Sequence, residues 1–434
     1  MKYRAYTLGC KVNQFETQAL EGLLEERGIF PAQAGERADL VIVNTCAVTS
    51  ESARKSRQAL RRLKAENPDA VTAVCGCLSQ LSREGIEELG ADVVHGSGDK
   101  KHFFEDIMSA LSRRERAVFV DEPFKRRIFE ELPGGAFEGR ARATLKIQDG
   151  CANFCSYCVI PYTRGRPRSL PKERCAAQCA ALSEKGVGEL VMTGIEISSY
   201  GVDLEPKSSL IEALEAMAAV SGAMRLRLGS LEPRVITREF AERLRATGKI
   251  CPHFHLSLQS GCDRTLKEMN RRYDTRQFFE ATEILREFFP ECGMTADLIV
   301  GFPGETEEDF AKTLSFIEKC AFSSMHIFPY SARPGTSAAQ LPGQLTNAVK
   351  TARAKRAREL AERMEEAFLR SCVGKTLPVV FETCSDGVWE GHADNYALVQ
   401  VMGEQGRGHA REIFITGLEG NALVGVSAQE QERE

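Results

Sequence analysis

Short apolar runs alternate with helix-patterned stretches along most of this 434-residue chain, and that alternation limits the fold more than any other feature. Residues 3–8, 39–44, 70–75 and 92–94 read as strands, separated by helical patterns at 14–27 and 50–65. Apolar runs too short for helices, each followed by a helix, indicate a parallel sheet buried on both faces. A first, doubly wound α/β domain is therefore expected over 1–120. The pattern resumes at 143–148, 189–193, 224–229, 253–258, 295–300 and 323–328, with helices at 171–186, 208–221, 236–247, 263–289 and 306–319. Six β/α units in a row predict a parallel barrel or part of one, a partial (β/α)6 barrel, within 143–370. A helix at 347–370 leads into 371–434, where short β-like runs between Gly, Asp and Asn turns predict a small five-stranded OB-like β-barrel. The arginine-rich stretch between the first two units reads as a basic linker over 121–142. The terminal QEQERE reads as frayed.

The cysteines sit where these sheets would place a ligand. Cys151, Cys155 and Cys158 form a C-x3-C-x2-C run directly after the first barrel strand. Four-iron clusters usually take four thiolates, so three leave one iron open to a substrate. A structural zinc would want a closed fourth ligand, and neither cysteine nor histidine follows within fifteen residues. Cys10, Cys46 and Cys77 each stand just past the end of a strand in the first domain. Ligands bind outside strand C-termini in open parallel sheets, so the three converge on one edge as a second three-thiolate site. Cys75 competes for the third place. Alternation turns it into the sheet, whereas Gly76 frees the turn before Cys77. Buried small hydrophobes are the plain alternative for this trio.

At the barrel mouth, Gly194, Glu196, Ser230, Glu232, Ser257, Gln259 and Gly301 to Glu305 end the later strands. Singly each fits turn chemistry; together they line the place where a polar cofactor would lie. Tyr157, inside the cysteine run, would pack beside the cluster or an adenine ring, or serve the core.

Composition excludes several classes. The fifteen cysteines in so long a chain argue against a disulfide scaffold and for thiolates on metal in a reducing cytoplasm. No apolar run reaches the roughly eighteen residues of a membrane span, and no secretory signal is expected. Net charge of −4 gives no bulk sign of a nucleic-acid partner.

The run with CVIPYTRGRPRS, together with SLQSG, IVGFPGE and FPYSARPGT, resembles the radical S-adenosylmethionine methylthiotransferases. TLGCKVNQ, VNTCAVT and GCLSQ resemble the second cluster domain of that family, and EGHADNY its TRAM domain. GCKVNQFET is most similar to the branch acting on threonylcarbamoyladenosine in tRNA; other branches act on isopentenyladenosine or a ribosomal protein. The resemblance implies two 4Fe–4S clusters, one on Cys151, Cys155 and Cys158 that binds and cleaves S-adenosylmethionine, the other on Cys10, Cys46 and Cys77 that carries the sulfur. It implies a 5′-deoxyadenosyl radical and methylthio transfer to carbon 2 of adenosine 37. A tRNA substrate, an electron donor such as a flavodoxin or ferredoxin, a sulfur source and a monomeric enzyme follow.

Basic clusters for RNA occur at Arg54, Lys55, Arg57, Arg61 and Arg62, at Arg113, Arg114 and Arg116, at Lys125, Arg126 and Arg127, and at Arg164, Arg166 and Arg168. The C-terminal module holds more Asp and Glu than Lys and Arg, so its grip needs Lys375, Arg407 and Arg411 on one face, or is weak. RNA affinity is expected to rest mainly on the Arg54–Arg62 and Arg164–Arg168 patches.

Overall fold

A computed structural model describes residues 1–133, 141–403 and 405–431. Six strands make the first sheet: β1 (Lys2–Thr7), β2 (Phe30–Pro31), β3 (Leu40–Thr45), β4 (Val71–Gly76), β5 (Val93–His95) and β6 (Ala117–Phe119). They run parallel in the order β2-β1-β3-β4-β5-β6. Alternation divides the sheet between two cores. Leu40, Ile42 and Ala73 pack with Leu20, Leu24 and Phe103 on one face. Val41, Val43 and Val74 pack with Leu60, Leu63 and Ile86 on the other. The chain order reverses between β1 and β3, and such a switch point is where open α/β sheets bind ligands.

β2 and β6 were not legible as strands. Both are short edge strands with no fully buried residue, so composition there reads as loop. The expected linker is also tied down. The Arg126 guanidinium meets Asp121 (2.7 Å), Gln80 (2.8 Å), Ser97 (3.0 Å) and the Thr163 carbonyl (3.2 Å), and Leu132 joins the barrel core. Its Gly-Gly pair and Arg140 lie outside the described residues, as does the end of the QEQERE tail.

Six parallel strands form the second unit: β7 (Arg142–Lys146), β10 (Glu189–Thr193), β11 (Arg225–Leu228), β12 (His253–Gln259), β13 (Gly293–Val300) and β14 (Ser324–Pro329). A short antiparallel pair, β8 (Gln148–Asp149) and β9 (Arg168–Ser169), flanks the cysteine loop. The triplets β7-β10-β11 and β12-β13-β14 are joined by parallel bridges Leu226–Ile250 and Leu231–Leu256, giving a partial barrel. On β12, Phe254, Leu256 and Leu258 enter the core under the outer helices. His255, Ser257 and Gln259 alternate with them and face the lumen.

The single helix expected over 263–289 is two helices, Asp263–Glu268 and Thr275–Phe288. Asn270 takes a left-handed φ of 59°, and the Arg271 N–H donates to Leu266 O (2.9 Å), a Schellman-type stop. Asp274 then caps the second helix by accepting from Gln277 N (2.8 Å). Periodicity continued through this break because both helices bury the same face.

The helix Asn347–Cys372 leads to β15 (Thr376–Ser385), β16 (Val388–Ala393), β17 (Leu398–Met402), β18 (Arg411–Glu419) and β19 (Ala422–Ser427). They close in the order β15-β16-β17-β19-β18, with β17 and β19 parallel, the expected OB-like barrel. Among the described residues no helix is long and apolar enough to cross a membrane.

This small barrel docks on the larger one through a buried acid. Glu189 receives Arg142 (2.8 Å), Arg225 (2.6 Å) and Arg227 (2.7 Å). Arg225 also donates to the Pro378 and His392 carbonyls (2.7 Å each), and Arg227 to those of Asp394 (2.8 Å) and Ala393 (3.0 Å). Tyr396 stacks between His253 (4.5 Å) and His392 (4.7 Å). The EGHADNY segment thus holds the module in place. Glu189→Gln leaves three guanidinium groups short of their carboxylate, and losing one side of a buried pair costs about 3–5 kcal/mol. Chemical denaturation should show that loss, with earlier proteolytic release of the C-terminal barrel.

Candidate functional site

The loop from β8 to β9 carries the C-x3-C-x2-C run and is pinned by backbone contacts. Cys151 N donates to Gly165 O (3.0 Å), and Ser156 N to Met269 O (3.0 Å). Each sulfur has a hydrogen-bond donor. Asn153 N reaches Cys151 (3.4 Å), Ile160 N reaches Cys158 (3.4 Å), and Arg271 Nη1 reaches Cys155 (3.2 Å). Arg271 comes from the break between the two helices and also meets the Tyr273 hydroxyl (3.0 Å). Burial pushes the Cys151 and Cys158 thiols up to about 12. Donors to sulfur beside thiols that ionise poorly alone suit a metal centre, which makes its ligands thiolates.

Cys10, Cys46 and Cys77 come together at the C-terminal ends of β1, β3 and β4. Asn13 ties two of the loops, donating to Leu8 O (2.8 Å) and Thr45 O (3.1 Å). Gly9 and Gly76 are required: φ is 104° and 109°, a Cβ on Gly9 would lie 3.0 Å from Cys46 Sγ, and one on Gly76 2.4 Å from Thr45 O. Cys10 opens onto a cavity, yet the surrounding protein still pushes its thiol up to about 11, Cys77 and Cys46 adding to the effect. Cys75 lies instead in the sheet core with Val71 and Ala73. Cys77 packs in one buried cluster with Val159, the residue after Cys158, so the two trios meet at the interface. Neither trio is among the described side-chain groups whose ligand atoms all lie within 4.8 Å of one another.

Between the trios lies a buried ion network. Glu16 accepts from Arg164 and from Lys146 Nζ (2.9 Å), with Lys100 at 3.8 Å. Asp149 contacts Lys146 (3.0 Å), Arg168 (3.3 Å) and Arg164 (3.6 Å). Arg164 Nη2 donates to Asn13 Oδ1 (2.7 Å), while its Nε is buried without a partner among the described residues. Burial opposes the charge on Glu16, but Arg164, Lys146 and Lys100 outweigh it and hold the carboxyl at about 2. The expectation that Arg164 and Arg168 meet RNA is overturned: their side chains are 0% and 4% exposed. Arg166 alone of that patch is exposed.

The mouth residues divide. Gly194 and Ser230 line a cavity of about 660 Å³ that also holds Cys10. Glu196 takes hydrogen bonds from Asn153 Nδ2 and Ser198 N (3.2 Å each), and its own N–H donates to Gln148 (2.8 Å). Burial, then the Glu232 carboxylate, raise Glu196 to about 7. Glu232 pairs with Arg234 (2.6 Å). Gln259 follows a bulge on β12 with φ 65°. Gly301 is turned to structural use: its N–H donates to Glu305 (2.7 Å), which binds Arg353 (2.6 Å). Tyr157 packs on Met269, Phe302 and Tyr330, the core setting of the two expected for it.

The Radical SAM superfamily profile matches residues 145–317, and that of the uncharacterized protein family UPF0004 matches 2–96. The threonylcarbamoyladenosine tRNA methylthiotransferase MtaB of Bacillus subtilis is 37% identical over 92% of this chain and 90% of its own. The protein of the same name from Thermotoga maritima is 36% identical over 93% and 92%. The chain belongs to the radical SAM tRNA methylthiotransferases. Another relative, the tRNA-2-methylthio-N(6)-dimethylallyladenosine synthase of Pelotomaculum thermopropionicum, is 34% identical over 88% and 86%. The solved radical SAM methyltransferase TsrM from Kitasatospora setae shares the fold at TM-score 0.56 and 15% identity, over 88% of this chain and 79% of that one. Membership brings a 4Fe–4S cluster and S-adenosylmethionine as cofactors.

Several residues of this methylthiotransferase site were invisible in sequence. Arg271 reaches Cys155, and Tyr273 reaches Arg271, only because the helix breaks, and the one available signal was Asn-Arg-Arg-Tyr-Asp interrupting a helical pattern. His255, Asp297 and His326 meet across three adjacent strands (3.2 to 3.3 Å), a pairing set by register. The raised Glu196 gives a pH test. Folding favours its protonated form, so the native state holds more protons than the unfolded chain between the ordinary carboxylate range and pH about 7. In metal-free protein, wild-type stability should fall with rising pH across that window relative to Glu196→Gln, and the two should run parallel above it. Denaturant midpoints against pH measure this.

Proposed function

We propose that this chain converts N6-threonylcarbamoyladenosine at position 37 of tRNA to its 2-methylthio derivative. One observation carries the reading: two three-cysteine sites stand at strand C-termini, and Cys77 packs in one buried cluster with Val159, the residue after Cys158. In this reading Cys151, Cys155 and Cys158 hold one 4Fe–4S cluster and Cys10, Cys46 and Cys77 a second. When bound, these groups with S-adenosylmethionine supply a carbon-centred radical and the sulfur.

The chain's own residues bind, orient and shield. Arg271 stabilises charge on Cys155, while the Asn153 and Ile160 amides do so at Cys151 and Cys158. In this reading Glu196, held by Asn153, binds a cationic amino group, and Gly194 lines the cavity at the strand end. In this reading Ser230, Glu232 and Gln259 shape the remaining mouth, and Gly301 supports it through Glu305. Arg164 offers positive charge to Cys10 and Cys46 from the interface. Electrons from a donor such as a flavodoxin or ferredoxin, and a source of sulfur, complete the set of partners.

For tRNA, the usable cations are those left at the surface. Arg57 and Arg61 on the helix Ser50–Glu66 carry no ion pair among the described residues, whereas Arg54 is held by Glu51 (2.6 Å). In the C-terminal module Lys375 is paired with Glu291 of the larger barrel (2.8 Å), which limits its use for phosphate. Reversing Arg57 and Arg61 to Glu should weaken tRNA binding at fixed salt and reduce the salt slope by about two.

Nucleoside analysis of tRNA from a strain lacking the protein tests the substrate. Loss of 2-methylthio-threonylcarbamoyladenosine with the isopentenyl form intact is expected; the converse loss points to the dimethylallyl substrate of other relatives. Anaerobic iron counting tests the sites, with about eight irons per chain expected from two clusters. Cys77→Ala should lose about half, and Cys75→Ala should keep all.

A further inference from the structure

The cavity beside Cys10 carries a cation that no part of the proposed reaction uses. It is bounded by Gly9, Cys10 and Lys11 on one side and by His255, Asp297 and His326 across the lumen. Lys11 is exposed to this space, and it forms no hydrogen bond or ion pair among the described residues. The nearby Glu189 carboxylate is taken by Arg142 (2.8 Å) and Arg227 (2.7 Å) and is not left for Lys11. The remaining charged wall groups are largely committed. Asp297 is shared by His255 (3.3 Å) and His326 (3.2 Å), and burial raises Glu365 toward its neutral form. An unpaired ammonium lining a cavity large enough for a nucleoside is a vacant anion subsite.

We propose that Lys11 binds the carboxylate of an acidic substituent on N6 of the target adenine and so selects for it. The proposal rests on the substrate reading above and names the contact that would enforce it. In adenine, carbon 2 and the N6 substituent flank N1 on a single edge. A base presenting carbon 2 toward the Cys10 site therefore extends its N6 group along the adjoining wall, where Lys11 stands. A threonylcarbamoyl group ends in a carboxylate and can pair there. A dimethylallyl group is apolar, and would strip water from Lys11 while returning no partner. Lys11 is the residue directly after the cysteine, so a specificity contact would be built into the same loop that presents the sulfur ligand.

The test uses anaerobic holoenzyme and anticodon stem-loop RNAs carrying threonylcarbamoyladenosine as the free acid, the same group as its methyl ester, or dimethylallyladenosine. Wild type should bind the acid about tenfold more tightly than the ester, the scale of a hydrogen bond to a charged group. Lys11→Met should bring that ratio to about one with ester binding unchanged, and Lys11→Arg should preserve most of it. An acid-to-ester ratio that survives in Lys11→Met overturns the proposal and leaves the substrate reading standing. Wild type that binds the dimethylallyl RNA and ignores the acid overturns both. Iron is counted in each variant because Lys11 adjoins Cys10; if Lys11→Met loses iron, Lys11→Gln carries the same comparison.

Discussion

The Glu16–Arg164–Lys146–Asp149 network is the constraint on which this structure depends. It joins the helix after β1 to the loop that returns from the C-x3-C-x2-C run, and its members are almost wholly withdrawn from water. Charges so buried tolerate little displacement, because the desolvation cost is recovered only at close range. The network therefore fixes how the first sheet sits on the barrel, and with it the separation of the two cysteine trios. Lys100, Lys146, Arg164 and Arg168 outnumber Glu16 and Asp149 among the described residues, which leaves positive charge between two sites that gather thiolates. Asn13 links the pieces directly, tying the Cys10 and Cys46 loops while accepting from Arg164.

A second polar interface works similarly at the other end of the lumen. Glu189 gathers three arginines, and two of these reach main-chain carbonyls of the C-terminal barrel. The carbonyl contacts do not depend on side-chain identity in the small barrel, whereas the Arg142–Glu382 pair (3.1 Å) and the stacking of Tyr396 between two histidines do. The cavity that opens beside Cys10 is thus walled by all three units. No single unit forms it.

Much of the fold was legible because burial on both faces leaves a strong mark. Leu40–Thr45 and Val71–Gly76 are wholly buried strands and read directly as apolar runs. Edge strands such as Ala117–Phe119 lack that mark, since half-exposed positions accept any polar residue. The split at Asn270 was hidden because two helices sharing one buried face keep one periodicity. For the site, Cys77 could be preferred over Cys75 from alternation and a glycine, both local properties. Arg164 and Arg168 misled for the opposite reason: composition reports charge but not its partners, and theirs come from residues distant in sequence.

By itself the sequence determined the element types, the order of the three units, the six cysteines of interest and the resemblance that relates them to radical chemistry. These follow from periodicity, turn chemistry and local spacing, which short-range sterics and burial impose on neighbouring residues. Only the tertiary structure decided which charges are buried, which reach solvent, and what the cavity presents to a substrate. Arg271 against Cys155, Glu16 among its cations and Lys11 facing the lumen depend on packing between elements. Electrostatic energy depends on distance and desolvation in space, and neither quantity is written along the chain.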